Sequence, residues 1–548
     1  MTVNATTING TASKNATSTW VFNSGGGDAR CGQFASGDYW IAPTAGQATV
    51  TITSITGSGS ITADADPVME SMGLLTGTKN YGNYNSAENI IPNLPKSYSA
   101  NTSLVAAIQR NESVEGNCGT PGIVGECVDA YHVVTVLSSV PANAGSTVIR
   151  PNITGSSKLM LSLTDFDFSR LPAKAFLTGT NAAGYEAMRQ RWSHSTEIIS
   201  LNNSTGKNYS EGGRAFRSHL LIDDYASGLA RQWNDDMMVL FSDDNTLPEK
   251  QAALAAMISY GLDLYSAMYG SEVTRYWGTG AGQHPGKFLP AVFMAALAKD
   301  SSYRAMLSTV KSHIRDHYYS GPIELQQINP GINGPVWGDT PAYTGVNYQG
   351  AYWQNLLNSQ CYDGANGTCN TTTYGDKTQH DPYGYIDGPP NKPGTSYQPV
   401  MLGPERGFAA AMYLMPQICD IVDYDQIGLY LERVSSVGVQ VLNDPCVTPD
   451  SRENPSTCSA YTNSKCVYYG VTWGPVNPTS MTSNCIKTPT PPYTKVGRFT
   501  NLAGTQVKAQ YTSPQVEANW AAIRGEGVTC ISTTASGVLS PVDFILTQ

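Results

Sequence analysis

Four stretches of the chain concentrate side chains that can move protons or grip a charged ligand. The first, Arg189-Gln-Arg-Trp-Ser-His194, runs through Asn208-Tyr209-Ser-Glu211-Gly-Gly-Arg214 toward an apolar-periodic stretch. A histidine or tyrosine beside an arginine can remove a proton next to a carboxylate, because the guanidinium neutralises the carboxylate and acidifies the adjoining carbon. The plainer alternative is that His194 caps a helix or packs under Trp192. The second, Tyr276-Trp277-Gly-Thr-Gly-Ala-Gly-Gln-His284-Pro-Gly-Lys287, is a Gly-rich loop entering a helix at Pro290. Its glycines would let backbone and ligand approach closely, or it is only a flexible connection. In the third, Gln379-His380-Asp381-Pro382-Tyr383-Gly384-Tyr385, the tyrosines offer a stacking face and a polar hydroxyl, unless the loop is a bare surface. The fourth is Glu405-Arg406, where Arg406 either points at a ligand or sits in an ordinary ion pair.

Carboxylates supply a competing chemistry. Asp223-Asp224, Asp235-Asp236 and Asp243-Asp244 lie in or beside one helical stretch, and two carboxylates facing a cleft would permit glycoside hydrolysis. Adjacent helical residues do not share a face, so at most one of each pair meets any one cleft. A structural calcium could sit at Asp64/Asp66 or Asp165/Asp167, although neither has the spacing of a helix-loop-helix calcium loop. A Walker loop, a GxSxG elbow, an HExxH pair and a dinucleotide fingerprint are missing. Nucleotide cofactors and zinc proteolysis are therefore not expected, and no cofactor is needed.

Composition narrows the setting in which these residues act. The 548 residues carry Lys+Arg 33 against Asp+Glu 43, a net charge of −10, and only 14% are charged. Without a Lys/Arg-rich run, nucleic acid is an unlikely partner, since backbone binding draws on clustered cations. The longest apolar stretches, Phe288 to Ala298 and Phe408 to Met415, are shorter than the roughly 20 residues a membrane helix needs. The start, Met-Thr-Val-Asn-Ala-Thr-Thr, has neither the basic residues nor the apolar run of a secretory signal; a mature form could have lost one.

Eleven cysteines, none in a CxxC pair, read as disulfides more readily than as a zinc cluster. Cys118/Cys127 and Cys361/Cys369 could close short loops, and the odd count leaves one thiol unpaired or joined to another chain. Asn-X-Ser/Thr sequons recur from Asn4 to Asn370. Together these features argue for an extracellular or cell-surface, glycosylated protein.

The elements that must position the candidate residues change character along the chain. Residues 1–17 form a polar arm able to exchange between copies, and 18–170 alternate with period two, as in Ala48-Thr-Val-Thr-Ile-Thr-Ser-Ile55 and His132-Val-Val-Thr-Val-Leu137. That pattern predicts a β-sandwich. From 171 to 548 the apolar spacing becomes helical, clearest over Pro248 to Tyr269, with further helices expected over 215–240, 290–299, 303–317, 406–422, 426–442 and 514–524. A cysteine-rich insertion spans 443–495. The expected fold is multidomain α and β: an N-terminal β-sandwich followed by an (α/α) helical toroid with long disulfide-stapled loops.

This layout resembles secreted polysaccharide lyases that join an (α/α) toroid to a β-sandwich. Gly32-Gln-Phe-Ala-Ser-Gly-Asp-Tyr-Trp-Ile41, Gly261-Leu-Asp-Leu-Tyr265, the Gly-rich loop into Pro290 and Glu517-Ala-Asn-Trp-Ala-Ala-Ile-Arg524 are also similar to stretches of a group of secreted environmental bacterial proteins. The lyase resemblance implies β-elimination on an acidic, uronate-containing polysaccharide. It implies His194 or Tyr209 as base, Tyr383 as acid, and Arg214 with His284 around the uronate carboxylate. Trp277, Lys287, His380, Tyr385 and Arg406 would bind the chain of sugars. A toroidal glycoside hydrolase, and a non-catalytic surface protein that self-associates through its arm or an unpaired cysteine, are the competing expectations.

Overall fold

A computed structural model describes residues 1–6, 15–25, 27–67, 73–74, 84–109, 128–153, 158–195, 226–268, 285–309, 397–421 and 512–527. Among the described residues nine strands form two sheets. β1 (Thr2–Thr6), β2 (Asn15–Asn23), β5 (Thr49–Gly57) and β7 (Lys96–Ser99) make a four-stranded antiparallel sheet in the order β1-β2-β5-β7. The other is ordered β3-β4-β9-β8-β6, from β3 (Arg30–Gln33), β4 (Tyr39–Ala42), β6 (Ser60–Ala65), β8 (Thr102–Gln109) and β9 (Ala130–Val136), with β4 and β9 parallel.

The period-two pattern explains which face is buried. In β5, Val50, Ile52 and Ile55 face the core, and the break in phase between Ile52 and Ile55 coincides with a register shift in the β2–β5 pairing. A bulge of this kind adds one residue and returns the next apolar side chain to the inner face. Those side chains meet Trp20, Ile41, Ala63, Leu104, Ala106, Val134 and Val136 in one cluster between the sheets. β9 is buried on both faces, because its alternate residues Tyr131 and Val133 join Val105, Ala107, Val128 and Ile153 on the opposite side. A strand covered on both sides reads as a continuous apolar run, and Ala130-Tyr-His-Val-Val-Thr-Val136 has that texture.

The described residues include the helices α1 (Ala182–Ser193), α2 (Ala226–Leu240), α3 (Leu247–Met268), α4 (Pro285–Leu297), α5 (Tyr397–Leu414) and α6 (Pro514–Gly525), and residues 302–309 are helical as well. Local signals set their ends. Asn181 accepts the Gly184 amide at the start of α1, Ser513 accepts that of Val516 before Pro514 in α6, and Glu249 reaches back to the Thr246 amide and hydroxyl before α3. Trp192 of α1, Trp233 of α2 and Tyr260 of α3 pack ring against ring, with centroids 4.9 Å apart for both pairs made by Trp192. Aromatic pairs of this kind contribute about 0.5–1.5 kcal/mol beyond their burial. Gly261 lets α3 and α4 touch backbone to backbone, since a Cβ there would stand 2.3 Å from the Pro290 carbonyl oxygen.

Segment 149–177 is the joint between sheets and helices. Ile149, Leu163, Phe166 and Leu177 belong to the helical core cluster. Asp167 N–H donates to the Leu297 carbonyl, and Arg170 Nη1 donates to the carbonyls of Ala296 and Ala298. Most firmly, Arg150 forms a bidentate pair with Asp263 of α3 (3.0 and 2.7 Å) while its Nε lies 3.2 Å from Asp38, beside β4.

These findings correct the expected β-sandwich followed by an (α/α) toroid with disulfide-stapled loops. Helix takes 43% and strand 25% of the described residues, and Arg150 links the two through Asp38 beside β4 and Asp263 of α3. Two of the cysteines lie among the described residues: Cys31 is an exposed free thiol on the edge strand β3, and Cys419 is disulfide-bonded. Within the alternating region 18–170, residues 146–149 and 158–163 are not strands: they form an isolated bridge at Val148 and Ser162 followed by capped turns. Residues 1–6 of the arm are tied to this same chain, with β1 paired to β2 and the Met1 ammonium donating to the Trp20 carbonyl. Among the described residues no helix is long and apolar enough to cross a membrane.

Candidate functional site

The contact between α2, α5 and α6 gathers a set of polar side chains that the fold leaves incompletely satisfied. α5 passes close to α2 because residue 407 is glycine: a Cβ there would sit 1.8 Å from the Asn234 amide nitrogen. Asn234 in turn donates to the Pro404 carbonyl at 3.1 Å, and its own carbonyl oxygen has no partner. Next to Gly407, Arg406 is 0% exposed. One guanidinium nitrogen, Nη1, pairs with Glu517 of α6, and the group lies over the Trp520 ring at 4.7 Å. Glu517 and Trp520 stand three residues apart, on one face of α6.

The remaining edge of Arg406 is the chemically informative part. Nε and Nη2 are buried without a hydrogen-bond partner, and so is Trp520 Nε1. Those two arginine nitrogens present parallel N–H groups, the fork that accepts a carboxylate or another planar oxyanion through two hydrogen bonds. Burying such donors unpaired is costly, so the arrangement suits a ligand that brings oxygen atoms. The Asn234 oxygen would accept a hydroxyl and the Trp520 indole would donate to one.

The same neighbourhood holds a perturbed acid. Asp235 of α2 receives the Ser513 hydroxyl and, at 3.4 Å, the Gln515 amide at the start of α6. Burial pushes its carboxyl up to about 6, against the lowering effect of those two donors. Its neighbour Asp236 faces the other way, as expected for adjacent helical residues, and takes the Trp192 indole N–H (2.8 Å) and Arg191. Only Asp235 of that pair serves the α6 contact.

Of the residues singled out in the sequence, Arg406 lies in this site. His194 does not: it ends α1 at 2% exposure, in the seam with β9, where its Nδ1 lies 3.1 Å from the Tyr131 carbonyl. Its ring centroid is 5.0 Å from that of His132, and His132 Nδ1 meets the Ser18 hydroxyl at 2.7 Å, which also takes the Trp20 indole N–H. Burial, then the charge of His194, lowers His132 well below the ordinary histidine value. Lys287 starts α4, with its side chain outside the described residues. Tyr209, Arg214, Trp277, His284, His380, Tyr383 and Tyr385 also lie outside them.

The carboxylates at which a calcium was weighed accept protein donors. Asp64 accepts the amides of Gly73 and Ala65, Asp66 holds Lys158 and the Ser103 amide, and Asp165 and Asp167 cap their own turns. Among the described residues no three His, Cys, Asp or Glu side chains gather around a common point. Sequence reasoning passed over Asn234, Glu517 and Trp520 as site residues. The available signal was the Glu517/Trp520 spacing on one helical face, close to a lone arginine only after folding. No protein-family model matches the chain, and no curated protein and no solved structure is found to be similar to it.

Proposed function

We propose that this is an extracellular carbohydrate-active protein that grips a uronate-containing polysaccharide through Arg406 and cleaves it by β-elimination. The observation that carries the reading is the buried, unpartnered Nε/Nη2 edge of Arg406. A uronate supplies a carboxylate for that fork and hydroxyls for Asn234 and Trp520. Neutralising the carboxylate acidifies the C5 proton. A base then removes that proton, the electron pair forms the C4–C5 double bond, the C4–O4 bond breaks, and an acid protonates the departing oxygen. The candidates for base and acid, Tyr209 and Tyr383, lie outside the described residues; His194 is held at the sheet–helix seam rather than beside Arg406.

The test is a panel of uronate polysaccharides, scored by calorimetric binding and by absorbance of the unsaturated product. Arg406→Lys, which keeps the charge and removes the fork, should weaken binding at least tenfold, about 1.4 kcal/mol. Undiminished binding by Arg406→Lys and Arg406→Gln would refute the assignment. Arg406-dependent binding without an absorbing product would retain the glycan ligand and remove the elimination step.

A further inference from the structure

We propose that α6 is a hinged cover over Arg406, opening as a unit to admit the ligand and closing to bury it. The inference deepens the acidic-glycan reading by giving that site a gate, while the opening itself does not depend on the ligand's identity.

The argument begins with what conceals the arginine. Arg406 is fully buried, yet two of its described neighbours, Glu517 and Trp520, come from the short peripheral helix α6. Glu517 reaches solvent, its side chain being 42% exposed, so the site lies one helix thickness from water. Trp520 covers one face of the guanidinium, so moving α6 away uncovers that face.

α6 is also attached differently from the other helices. In α3 and α4 the buried residues run almost without interruption, whereas in α6 only Val516, Trp520 and Ile523 are buried. Among the described residues, several of its further ties are polar and lie at its two ends. At the start, the Gln515 side chain exchanges two hydrogen bonds with the Thr178 backbone (3.1 and 2.7 Å), and Ser513 donates to Asp235. Just past the end, Glu526 pairs with Lys174 at 2.6 Å. Gly527 then turns the chain with φ of +73°, a conformation glycine adopts without steric cost. Elements with few buried apolar contacts and exposed polar ties open locally at lower free energy than the core, and such motions gate many binding sites.

The experiment measures access to Arg406 directly. Phenylglyoxal modifies exposed guanidinium groups, and site-resolved mass spectrometry separates Arg406 from Arg150, which is buried in the core joint. In the Lys174→Ala/Gln515→Ala double variant, which removes the side chains tying both ends of α6 and keeps the Gln515 backbone amide that faces Asp235, Arg406 should be modified about tenfold faster than in the wild type. Arg150 should react no faster. Equal rates at Arg406 in the two proteins would overturn the cover, as would a matching acceleration at Arg150, which would show that α6 opens only with the whole fold. Polygalacturonate should slow Arg406 modification in the wild type. If the double variant accelerates but polygalacturonate gives no protection, the cover stands and the acidic-glycan reading falls.

Discussion

Arg150 and Asp263, 113 residues apart in sequence, meet in a two-point ion pair that water does not reach. Asp38 lies against the remaining nitrogen, held by the Ser36 hydroxyl at 2.8 Å, and the Ile153 amide donates to Asp263 at 2.9 Å. Sheets and helices therefore share one electrostatic joint. Burial raises the Asp38 carboxyl, with Arg150 acting in opposition.

Replacing that arginine should test the joint. Arg150→Met keeps the bulk but strands two buried carboxylates, and breaking a buried pair of this type costs about 3–5 kcal/mol. Thermal unfolding followed by far-ultraviolet and near-ultraviolet circular dichroism should shift downward together. Loss of the helical signal alone, with the sheet signal retained, would show that the two parts are not coupled through this residue.

The backbone contact between α3 and α4 gives a second expectation. In Gly261→Ala the new methyl would stand 2.3 Å from the Pro290 carbonyl oxygen, and neither backbone can yield cheaply. Overpacking of this kind destabilises by about 1–3 kcal/mol. Gly46→Ala is a contrasting control: open space surrounds its Cβ, but φ is +87°, so any loss there arises from backbone strain alone. Comparable urea midpoints for Gly261→Ala and the wild type would argue against the close helix contact.

Asp64 predicts a pH effect of definite sign. Burial pushes its carboxyl from 3.8 up to about 6, more than the Gly73 and Ala65 amides lower it, with Glu88 and Asp66 adding to the rise. The folded state thus favours the protonated form. That contribution is fully present below 3.8 and is lost as pH rises through about 6. The stability of the wild type relative to Asp64→Asn, which cannot titrate, should improve on acidification from neutrality to about pH 4 by an amount on the order of 2 kcal/mol. Matched melting curves at several pH values supply the comparison, and a relative loss for the wild type on acidification would contradict the burial argument.

His132 has the opposite sign. Its protonated form is disfavoured by burial and then by His194, so the neutral ring contributes stability above its ordinary value of 6.5 that is lost as pH falls through the lowered one. Nuclear magnetic resonance of labelled histidine rings should find that His132 in the folded protein stays neutral as pH falls through the range in which an ordinary histidine takes up its proton. A midpoint near the ordinary value would mean that the Ser18–His132 contact is open to water.

How much of the site was legible follows from what each signal measures. Arg406 stood out as a charged residue at the expected start of an apolar helix, a local property, although α5 begins earlier at Tyr397. Nothing local marks Asn234, whose role depends on Gly407 admitting it to the α5 backbone, or Trp520, which reaches Arg406 across 114 positions of chain. His194 carried the chemistry of a base in its side chain, but its position at the end of α1 against β9 ties its ring to the Tyr131 carbonyl.

The amino-acid sequence by itself determined several element types and some of their ends: the alternation of β5, the continuous apolar run of β9, the start of α6 at Ser513-Pro514, and the long apolar helix α3. These follow from periodicity and capping, which act over a few residues. It did not determine that sheets and helices form one body, nor which polar groups would be left unpaired. Those outcomes were decided by tertiary structure, because desolvation and charge pairing depend on residues such as Asp38, Arg150 and Asp263 being brought together from distant parts of the chain and closed off from water.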